Sequence, residues 1–434
     1  MRLNVFVIRS YLHRLIALAS GMFMFSGVAF CDELRILTSM PASLFQPFAD
    51  AFKAQHPGVS VNVLNKNTNA ALEEIARGNA RRFDIFWASS PEAFAVLSAH
   101  NAFSLGTSAR TEWRPDRRGQ AATYPFALSA LGWTQLAASH LPRPREWDDL
   151  LDASFTGEIG MTRPSRSGTA HMVVERFLQV RGWDAGWAYL LELSGNLSTI
   201  TSRSFGVVDG VEKSRFQIGI TIDFLAQSRA KYGVAFEYGR PLMVMPAQIG
   251  ILEQGAAPAL AAAFVEFVLS PEGQRILLRP EVQRVPISRQ IRAETDSTAP
   301  EISAAVRLNW LEYDALLARD RYWAVNMLFD VFITFQLTER NNAWRRLRAL
   351  QDSTGAAFAP ELAAAERLLT TIQIREQDVL ESDVNAVPTR VTAFSAATGV
   401  QQQAISDWTR AAQNLLAGAD EILTEIEFRL DKTE

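Results

Sequence analysis

Three successive segments after residue 31 each read as a strand, a polar loop and a helix, and this repeat constrains the fold more than any other feature. The segments are "DELRILTSM" with "PASLFQPFADAFKAQHPG", then "VSVNVLNKNTNAALEEIARG", then "FDIFWASSPEAFAVLSAHN". In each, an extended apolar run is followed by apolar residues at helical spacing. Such alternation predicts an α/β fold with a parallel sheet covered by helices on both faces. The polar loops of such a sheet share its carboxyl edge, where ligands bind.

Two long extended stretches, "TYPFALSALGWTQL" and "GRPLMVMPAQIGILEQGA", enclose a second α/β region, after which helix resumes with "PALAAAFVEFVLSPEGQRILL". This arrangement predicts two lobes joined by two crossing strands, with a ligand cleft between the lobes. We predict a signal peptide over 1–31, lobe 1 over 32–125 and 247–299, lobe 2 over 126–246 and an all-helical C-terminal extension over 300–434.

The first thirty residues have the pattern of a secretory signal peptide. Arg2, Arg9 and Arg14 precede the charge-free apolar run "LIALASGMFMFSGVAF". Small residues near Ala29 and Cys31 fit cleavage after Cys31. The alternative is a retained membrane anchor, but the run is shorter than the ~20 residues that a spanning helix needs. Cleavage would leave an exported chain without cysteine, and therefore without disulfides or thiolate chemistry.

Composition excludes some partners. The chain has 434 residues, of which 48% are hydrophobic and 21% charged, so it is globular and long enough for two or three domains. Its formal net charge of -4 gives no general attraction to polyanions. We therefore expect no nucleic-acid partner, and any basic site must be local.

Several long segments resemble known families. "FVEFVLSPEGQRIL" resembles the helix and turn of the type 2 periplasmic solute-binding proteins, the family 1 extracellular binders. "RPSRSGTAHMVVE", "RGWDAGWAYLLELSGNLSTITSRSFGV" and "FDVFITFQLTERNNAWRRL" are similar to the phosphoglycerate transport regulatory protein family, from about Leu34 to Leu350. The resemblance implies a two-lobe type 2 periplasmic binding protein fold. It also implies a periplasmic protein that reports phosphoglycerate to a membrane histidine kinase, which switches on a phosphoglycerate transporter.

The run "TRPSRSGTAHMVVERF" predicts an anion site in the second lobe. After Pro164, a loop leads into a helix that we expect to begin near Ala170, so several backbone N–H groups lack partners within the helix. Arg166 could grip a phosphate or carboxylate with two hydrogen bonds, and the loop adds small donors. The loop candidates are Ser165, Arg166, Ser167, Gly168 and Thr169. The alternative is an ordinary capped helix with a solvated arginine.

Further candidates follow other strands. The Ser-Arg-Ser triplet recurs at residues 202–204, so Arg203 and Ser204 could converge with Arg166, unless the two arginines are unrelated surface residues. Asp223, after the apolar "IGITI", could accept a ligand hydroxyl, orient an arginine or cap a loop. Tyr124 could contact the ligand or pack at the hinge. From the first lobe we predict neutral donors at strand ends that could equally be helix caps: Ser39, Asn67, Thr68, Ser89 and Ser90.

Other chemistries lack the residues they need. The four histidines after the predicted signal peptide, at positions 56, 100, 140 and 171, are scattered and have no second histidine or cysteine at metal-ligand spacing, so we expect no metal site. The adjacent tyrosine pair of iron-binding relatives is missing, and so is a Gly-rich phosphate loop. "SRAK" matches the Ser-x-x-Lys pattern of some acylating enzymes without its companion motifs. We therefore expect neither a cofactor nor an enzyme.

The extension shows helical periodicity. In "WLEYDALLARDRYWAVNMLFDVFITFQL" we expect Leu328, Phe329, Phe332 and Phe335 to share one apolar face, while interspersed polar residues exclude a membrane span. Two hypotheses remain open for this extension: it docks on a sensor partner, or it packs on the first lobe and stabilises it.

We expect a periplasmic binding protein that captures a small anionic, phosphorylated three-carbon ligand by lobe closure. In the sensor hypothesis it reports this ligand to a membrane sensor kinase, which the extension favours. One alternative is the substrate-binding subunit of an ABC importer for a phosphorylated or carboxylated molecule. The other is a periplasmic phosphate-ester enzyme, which the missing nucleophile and metal ligands disfavour.

Overall fold

A computed structural model of the chain describes residues 32–104, 123–294, 302, 313–385 and 397–432. The predicted signal peptide over 1–31 lies outside the described residues. The strands are β1 (Asp32–Thr38), β2 (Val59–Asn65), β3 (Ile85–Ala88), β4 (Thr123–Leu136), β5 (Ile159–Thr162), β6 (Leu197–Thr201), β7 (Ile218–Ile222), β8 (Val234–Tyr238), β9 (Val244–Ile251) and β10 (Val285–Pro286).

The helices of the α/β region are α1 (Ala42–Gln55), α2 (Thr68–Ala76), α3 (Pro91–Ala99), α4 (Gly168–Arg181), α5 (Trp183–Leu193), α6 (Ser204–Glu212), α7 (Asp223–Gln227), α8 (Pro258–Leu269), α9 (Pro271–Ile276) and α10 (Arg289–Arg292). The extension contributes α11 (Ala315–Asp320), α12 (Tyr322–Phe332), α13 (Leu337–Thr354), α14 (Ala359–Thr370), α15 (Glu376–Glu381) and α16 (Gly399–Asp431).

The first lobe confirms the predicted strand–helix repeat. β1 pairs in parallel with β2 on one side and with β3 on the other, and α1, α2 and α3 follow the three strands in turn. β9 adds an antiparallel strand beside β3. Buried aromatic side chains such as Phe48, Trp87 and Phe264 fill the space between the sheet and the helices. The carboxyl ends of β1, β2 and β3 consequently meet at one edge.

The second lobe repeats this design. β5 pairs in parallel with β6 and with β7, and α4 follows β5 as α6 follows β6. Trp133, Trp147 and Trp187 are fully buried in its core. Helix α4 begins at Gly168 rather than near Ala170, because Pro164–Arg166 already forms a 3₁₀ turn and Ser167 caps the helix.

The crossing segments are the ones expected. Residues Thr123–Ala130 of β4 pair with β9, whereas its later residues Leu131–Leu136 pair with β7 and β8. The chain returns from β8 to the first lobe directly through β9. The strand order β2-β1-β3-β9-β4-β7-β5-β6 thus gives the two-lobe type 2 periplasmic binding protein fold. The exact lobe boundaries stay predictions, because β4 continues without a break through both lobes.

The extension is helical, as predicted, and packs mainly on the second lobe. Helices α13, α14 and α16 share a core that includes Leu347, Leu369 and Leu423. Trp344 of α13 packs against Gly195, in the turn after α5, and its indole N–H donates to the carbonyl of Leu191 at 3.2 Å. The expectation that the extension packs on the first lobe is therefore wrong for these three helices, whereas α11 does pack against α3 of the first lobe.

Helix α12 contacts both lobes. Asp330, fully buried, accepts two hydrogen bonds from Arg163 of the second lobe at 2.6 and 2.7 Å. Tyr322 donates to the Asn69 side chain of the first lobe at 2.5 Å. Leu328, Phe329 and Phe332 share its buried face, as expected. Phe335 does not: it is 59% exposed, because α12 ends at Phe332 and a 3₁₀ turn follows.

Candidate ligand-binding site

A small pocket lies between the lobes at the carboxyl ends of their strands, with a cavity volume of about 40 Å³. It is lined by Ser39, Met40, Pro41, Asn67, Thr68, Ser89, Ser90, Arg166, Ser167, Gly168, Thr169, Arg203, Ser204, Phe205, Phe224 and Leu225. One water needs roughly 10–15 Å³ of such volume, so the space between the lobes holds a few waters.

Helix N-termini from both lobes converge on this pocket. Its lining includes the residues that precede or open α1, α2 and α3 of the first lobe and α4 and α6 of the second. Asn67 caps α2 by accepting from the Ala70 N–H at 2.9 Å, and Ser167 caps α4 by accepting from the Ala170 N–H at 3.2 Å. None of the described side chains caps α1, α3 or α6. Their first amides and helix dipoles favour a negative charge.

Two arginines of the second lobe add positive charge. Arg166 is exposed at the pocket, and Arg203 is partly buried and donates to the Asn65 side chain across the cleft. Burial, followed by the nearby charge of Arg166, lowers the pKa of Arg203. None of the described residues that line the pocket is acidic. Two mutually repelling guanidinium groups without a lining carboxylate favour an anionic ligand.

The lobes touch across the pocket. Thr68 Oγ1 of the first lobe accepts from the Gly168 N–H at 3.1 Å. A Cβ at Gly168 would lie 2.5 Å from Ser90 Cβ, so only glycine allows this approach. Asn69 donates to the carbonyl of Ser165. The structure therefore represents a closed arrangement.

Most of the predicted candidates line the pocket together: Ser39, Asn67, Thr68, Ser89, Ser90, Arg166, Ser167, Gly168, Thr169, Arg203 and Ser204. The two Ser-Arg-Ser segments meet directly, since the hydroxyls of Ser167 and Ser204 lie 2.5 Å apart. Ser167 caps α4, as the alternative interpretation expected, and the helix that it caps opens onto the pocket.

Three candidates do not line the pocket. Tyr124 lies half-buried on β4 and packs against the core, and the Ser165 hydroxyl is buried without a hydrogen-bond partner in the described structure. Asp223 is buried and accepts from the N–H groups of Ala130 at 2.8 Å and Phe224 at 2.7 Å. Burial raises the pKa of Asp223 to about 6. Asp223 thus binds backbone amides of the second lobe.

A buried arginine next to the pocket was not predicted from the sequence. Arg284 is 2% exposed and donates to Ser89 Oγ at 2.9 Å and to the Met40 sulfur at 3.4 Å. Both acceptors belong to residues that line the pocket. Arg284 precedes the short strand β10, a place with no periodic pattern and no link in sequence to the other candidates, so no local signal identifies it.

The chain also matches known proteins. Residues 34–279 match the family model of the bacterial extracellular solute-binding proteins. The chain belongs to this family. The phosphoglycerate transport regulatory protein PgtC of Salmonella typhimurium is 33% identical to this solute-binding protein over 347 residues, which are 77% of this chain and 85% of PgtC. The resemblance to the phosphoglycerate transport regulatory proteins is thereby confirmed.

Solved structures agree on the fold of this solute-binding protein. AfuA of Actinobacillus pleuropneumoniae, a periplasmic binding protein with bound fructose-6-phosphate, has a TM-score of 0.55 at 17% identity and covers 60% of this chain and 86% of its own. Iron-bound HitA of Pseudomonas aeruginosa has a TM-score of 0.52 at 18% identity, covering 59% and 87%. Since one fold holds both ligands, the ligand must be argued from the pocket.

The comparisons identify a bacterial extracellular solute-binding protein, and its relative PgtC is named a transport regulatory protein. Within the described ranges, no helix combines the length and apolar character needed to cross a membrane.

Proposed function

We propose that this periplasmic protein captures a small anionic ligand, a phosphorylated three-carbon acid such as phosphoglycerate, by closing its lobes around it. The observation that carries this proposal is the meeting of uncapped helix N-termini with Arg166 and Arg203 in a pocket whose described lining contains no acid. A phosphate group takes several N–H donors and a bidentate arginine at once. The name of the relative PgtC supports phosphoglycerate as the first ligand to test.

In this proposal each lobe moves as a rigid unit. The hinge lies in β4 and β9, close to the predicted divisions at 125/126 and 246/247. The hydroxyl and backbone donors that line the pocket hold the phosphate, with Arg166 and Arg203 as its charged partners. Closure is favoured by the ligand's higher affinity for the closed form, since the site is complete only when both lobes contribute. The catalytic alternative is set aside because the relatives are binding and regulatory proteins.

The proposed partner is a membrane sensor kinase that recognises the closed form, with the helical extension as its docking surface. This is supported by α12, which is fixed to the second lobe through Asp330 and contacts the first lobe through Tyr322, so its surroundings change with closure. The regulatory name of PgtC supports the same partner. A role as the substrate-binding subunit of an ABC importer is the second candidate, supported by the fold shared with the substrate-binding protein of an ABC transporter from Agrobacterium tumefaciens, which has a TM-score of 0.55 at 18% identity.

A thermal-shift screen of the mature chain, residues 32–434, tests the ligand class. The panel contains 3-phosphoglycerate, phosphoenolpyruvate, inorganic phosphate, dicarboxylates, an uncharged sugar and ferric citrate. A ligand at 100 times its Kd adds ~2.7 kcal/mol to stability, so we expect a shift of a few degrees with the three-carbon phosphates. A shift with only the sugar or iron would contradict the proposal. Phosphorus NMR after incubation should return the ester intact, whereas hydrolysis would indicate an enzyme.

A further inference from the structure

Arg284 lies just outside the pocket and contacts residues that form its wall. It is 2% exposed, yet it touches three residues that line the pocket: it donates to Ser89 and Met40, and its guanidinium carbon lies 4.3 Å from the centroid of the Phe224 ring. The ring of Phe126 covers it at 5.4 Å. The positive charge of Arg284 is therefore separated from the proposed phosphate position only by the side chains that line the pocket.

The surroundings of Arg284 neutralise its charge poorly. Its Nε has no hydrogen-bond partner in the described structure, and its acceptors are a hydroxyl and a weakly accepting thioether. The nearby Asp223 directs its two oxygens at the backbone amides of Ala130 and Phe224 instead. Burial lowers the pKa of Arg284 to about 9, although Asp223 opposes this effect.

Arg340 shows what a well-paired buried arginine looks like in the same protein. It is 4% exposed, and burial lowers its pKa to about 9 as well. However, Arg340 donates to Ser194 Oγ at 2.9 Å, to the Leu191 carbonyl at 3.1 Å and to the Leu369 carbonyl. The oxygens of Ser194 and Leu191 tie the extension to the second lobe, and that of Leu369 joins α13 to α14. Arg340 is thus paired for stability, whereas Arg284 lacks such partners.

We infer that Arg284 selects the charge of the ligand: it makes the pocket prefer a doubly charged phosphate monoester over a singly charged group of the same shape. The inference rests on the proposed function, namely that the pocket binds an anion. A buried cation with incomplete pairing costs free energy, and an arriving dianion offsets that cost more than a monoanion does. Because Ser89 Oγ accepts from Arg284, the Ser89 hydroxyl hydrogen remains available to donate into the pocket.

The test compares Arg284→Met, Arg284→Lys and the matched control Arg340→Met in the mature chain. Methionine keeps an unbranched side chain without the charge. In the absence of ligand, we expect Arg284→Met to unfold at or above the wild-type Tm, because it removes a poorly paired buried cation, and Arg340→Met to unfold lower. Affinity is measured by calorimetry with 3-phosphoglycerate and with the sulfate-ester analogue, which has one negative charge fewer on the same tetrahedral group.

We expect Arg284→Met to weaken 3-phosphoglycerate binding by about 10- to 100-fold, and to reduce the preference for phosphate over sulfate ester, while Arg284→Lys retains part of that preference. The inference is overturned if Arg284→Met unfolds as low as Arg340→Met or fails to fold, or if both esters weaken equally in Arg284→Met. If the wild-type chain binds neither ester, the proposed function has failed, which is a separate result.

Discussion

At the scale of single residues, Glu92 couples the pocket to the extension. Its carboxyl group is fully buried at the start of α3, accepts from the Ser90 hydroxyl of the pocket wall and accepts from Tyr313 Oη at 3.1 Å. Burial raises the pKa of Glu92 to about 7, and the negative charge of Glu175 adds to that effect. The ordinary value is 4.5, so native Glu92 retains its proton at pH values where the unfolded chain has lost it.

This gives a prediction for stability against pH. Between pH 4.5 and about 7 the native state binds more protons at Glu92 than the unfolded state, so the stabilisation from this group is present below pH 4.5 and is lost as pH rises through about 7. Glu92→Gln removes this loss, and its unfolding free energy relative to wild type should rise by about 3 kcal/mol between pH 4 and pH 8.

Urea unfolding of both proteins across this pH range measures the difference. Comparing the two cancels other titrating groups such as His171, whose pKa burial lowers to about 4. Glu281→Gln, at an exposed glutamate, is the control for a change of net charge and should show no such rise. If the unfolding free energies of Glu92→Gln and wild type change with pH in parallel, Glu92 is ionised in the folded protein.

Residue-level prediction from the sequence succeeded where a position follows a strand. Ser39, Ser89 and Arg203 were identifiable because a parallel sheet gathers the residues after its strands at one edge. Arg284 was not identifiable, because its place beside the pocket depends on how the chain folds back after α9. Asp223 follows a strand too, but its carboxylate accepts hydrogen bonds from backbone amides of its own lobe instead of lining the pocket.

At the scale of elements, the start of α4 determines how closely the lobes approach. A Cβ added at Gly168 would lie 2.5 Å from Ser90 Cβ and 2.6 Å from Ser90 Oγ on the opposite lobe. Gly168→Ala should therefore disfavour closure while leaving the helix intact, because alanine suits a helix better than glycine. At an overpacking cost of about 1–3 kcal/mol, ligand affinity should fall by roughly 5- to 150-fold.

Gly206→Ala in α6 is the matched control, since its Cβ would meet Thr201 at an ordinary 3.5 Å. Calorimetry with 3-phosphoglycerate measures affinity, and small-angle X-ray scattering with the ligand reports the distance between lobes. Wild-type affinity in Gly168→Ala would mean that the lobes need not approach this closely to bind.

Element-level prediction was accurate for type and order and less so for ends. The periodicities gave the strands and helices of the first lobe and the helical extension. The start of α4 was placed two residues late, because the 3₁₀ turn at Pro164–Arg166 has no periodic signature. Phe335 continued an apolar pattern past the end of α12, and periodicity alone does not report where a helix ends.

At the scale of the whole molecule, helix α13 of the extension joins the second lobe to the rest of the helical bundle. Helix α13 presents Trp344 and Arg340 to the second lobe, while Leu347 and Leu350 face α14 and α16. Removing the chain after Leu350 would therefore expose apolar surface. Substitutions of exposed side chains on α16, such as Phe428, test partner docking better than truncation does, because they leave the packed core intact.

The fold of the whole molecule was predictable from the order of its elements together with its family resemblance. Which lobe carries the extension was not, because an amphipathic helix shows that one face is covered without showing by what. Contacts such as those of Arg163 with Asp330 join residues far apart in the chain, and single charged residues carry no pattern that links them.

The most direct test is a calorimetric titration of 3-phosphoglycerate into the mature wild-type chain and into Arg166→Gln, with Arg143→Gln, an exposed arginine away from the pocket, as the control. We predict saturable binding of one ligand per chain, weakened by about 10- to 100-fold in Arg166→Gln and unchanged in Arg143→Gln. No binding to wild type, or equal affinity in wild type and Arg166→Gln, would contradict the claim that the cleft grips a phosphate.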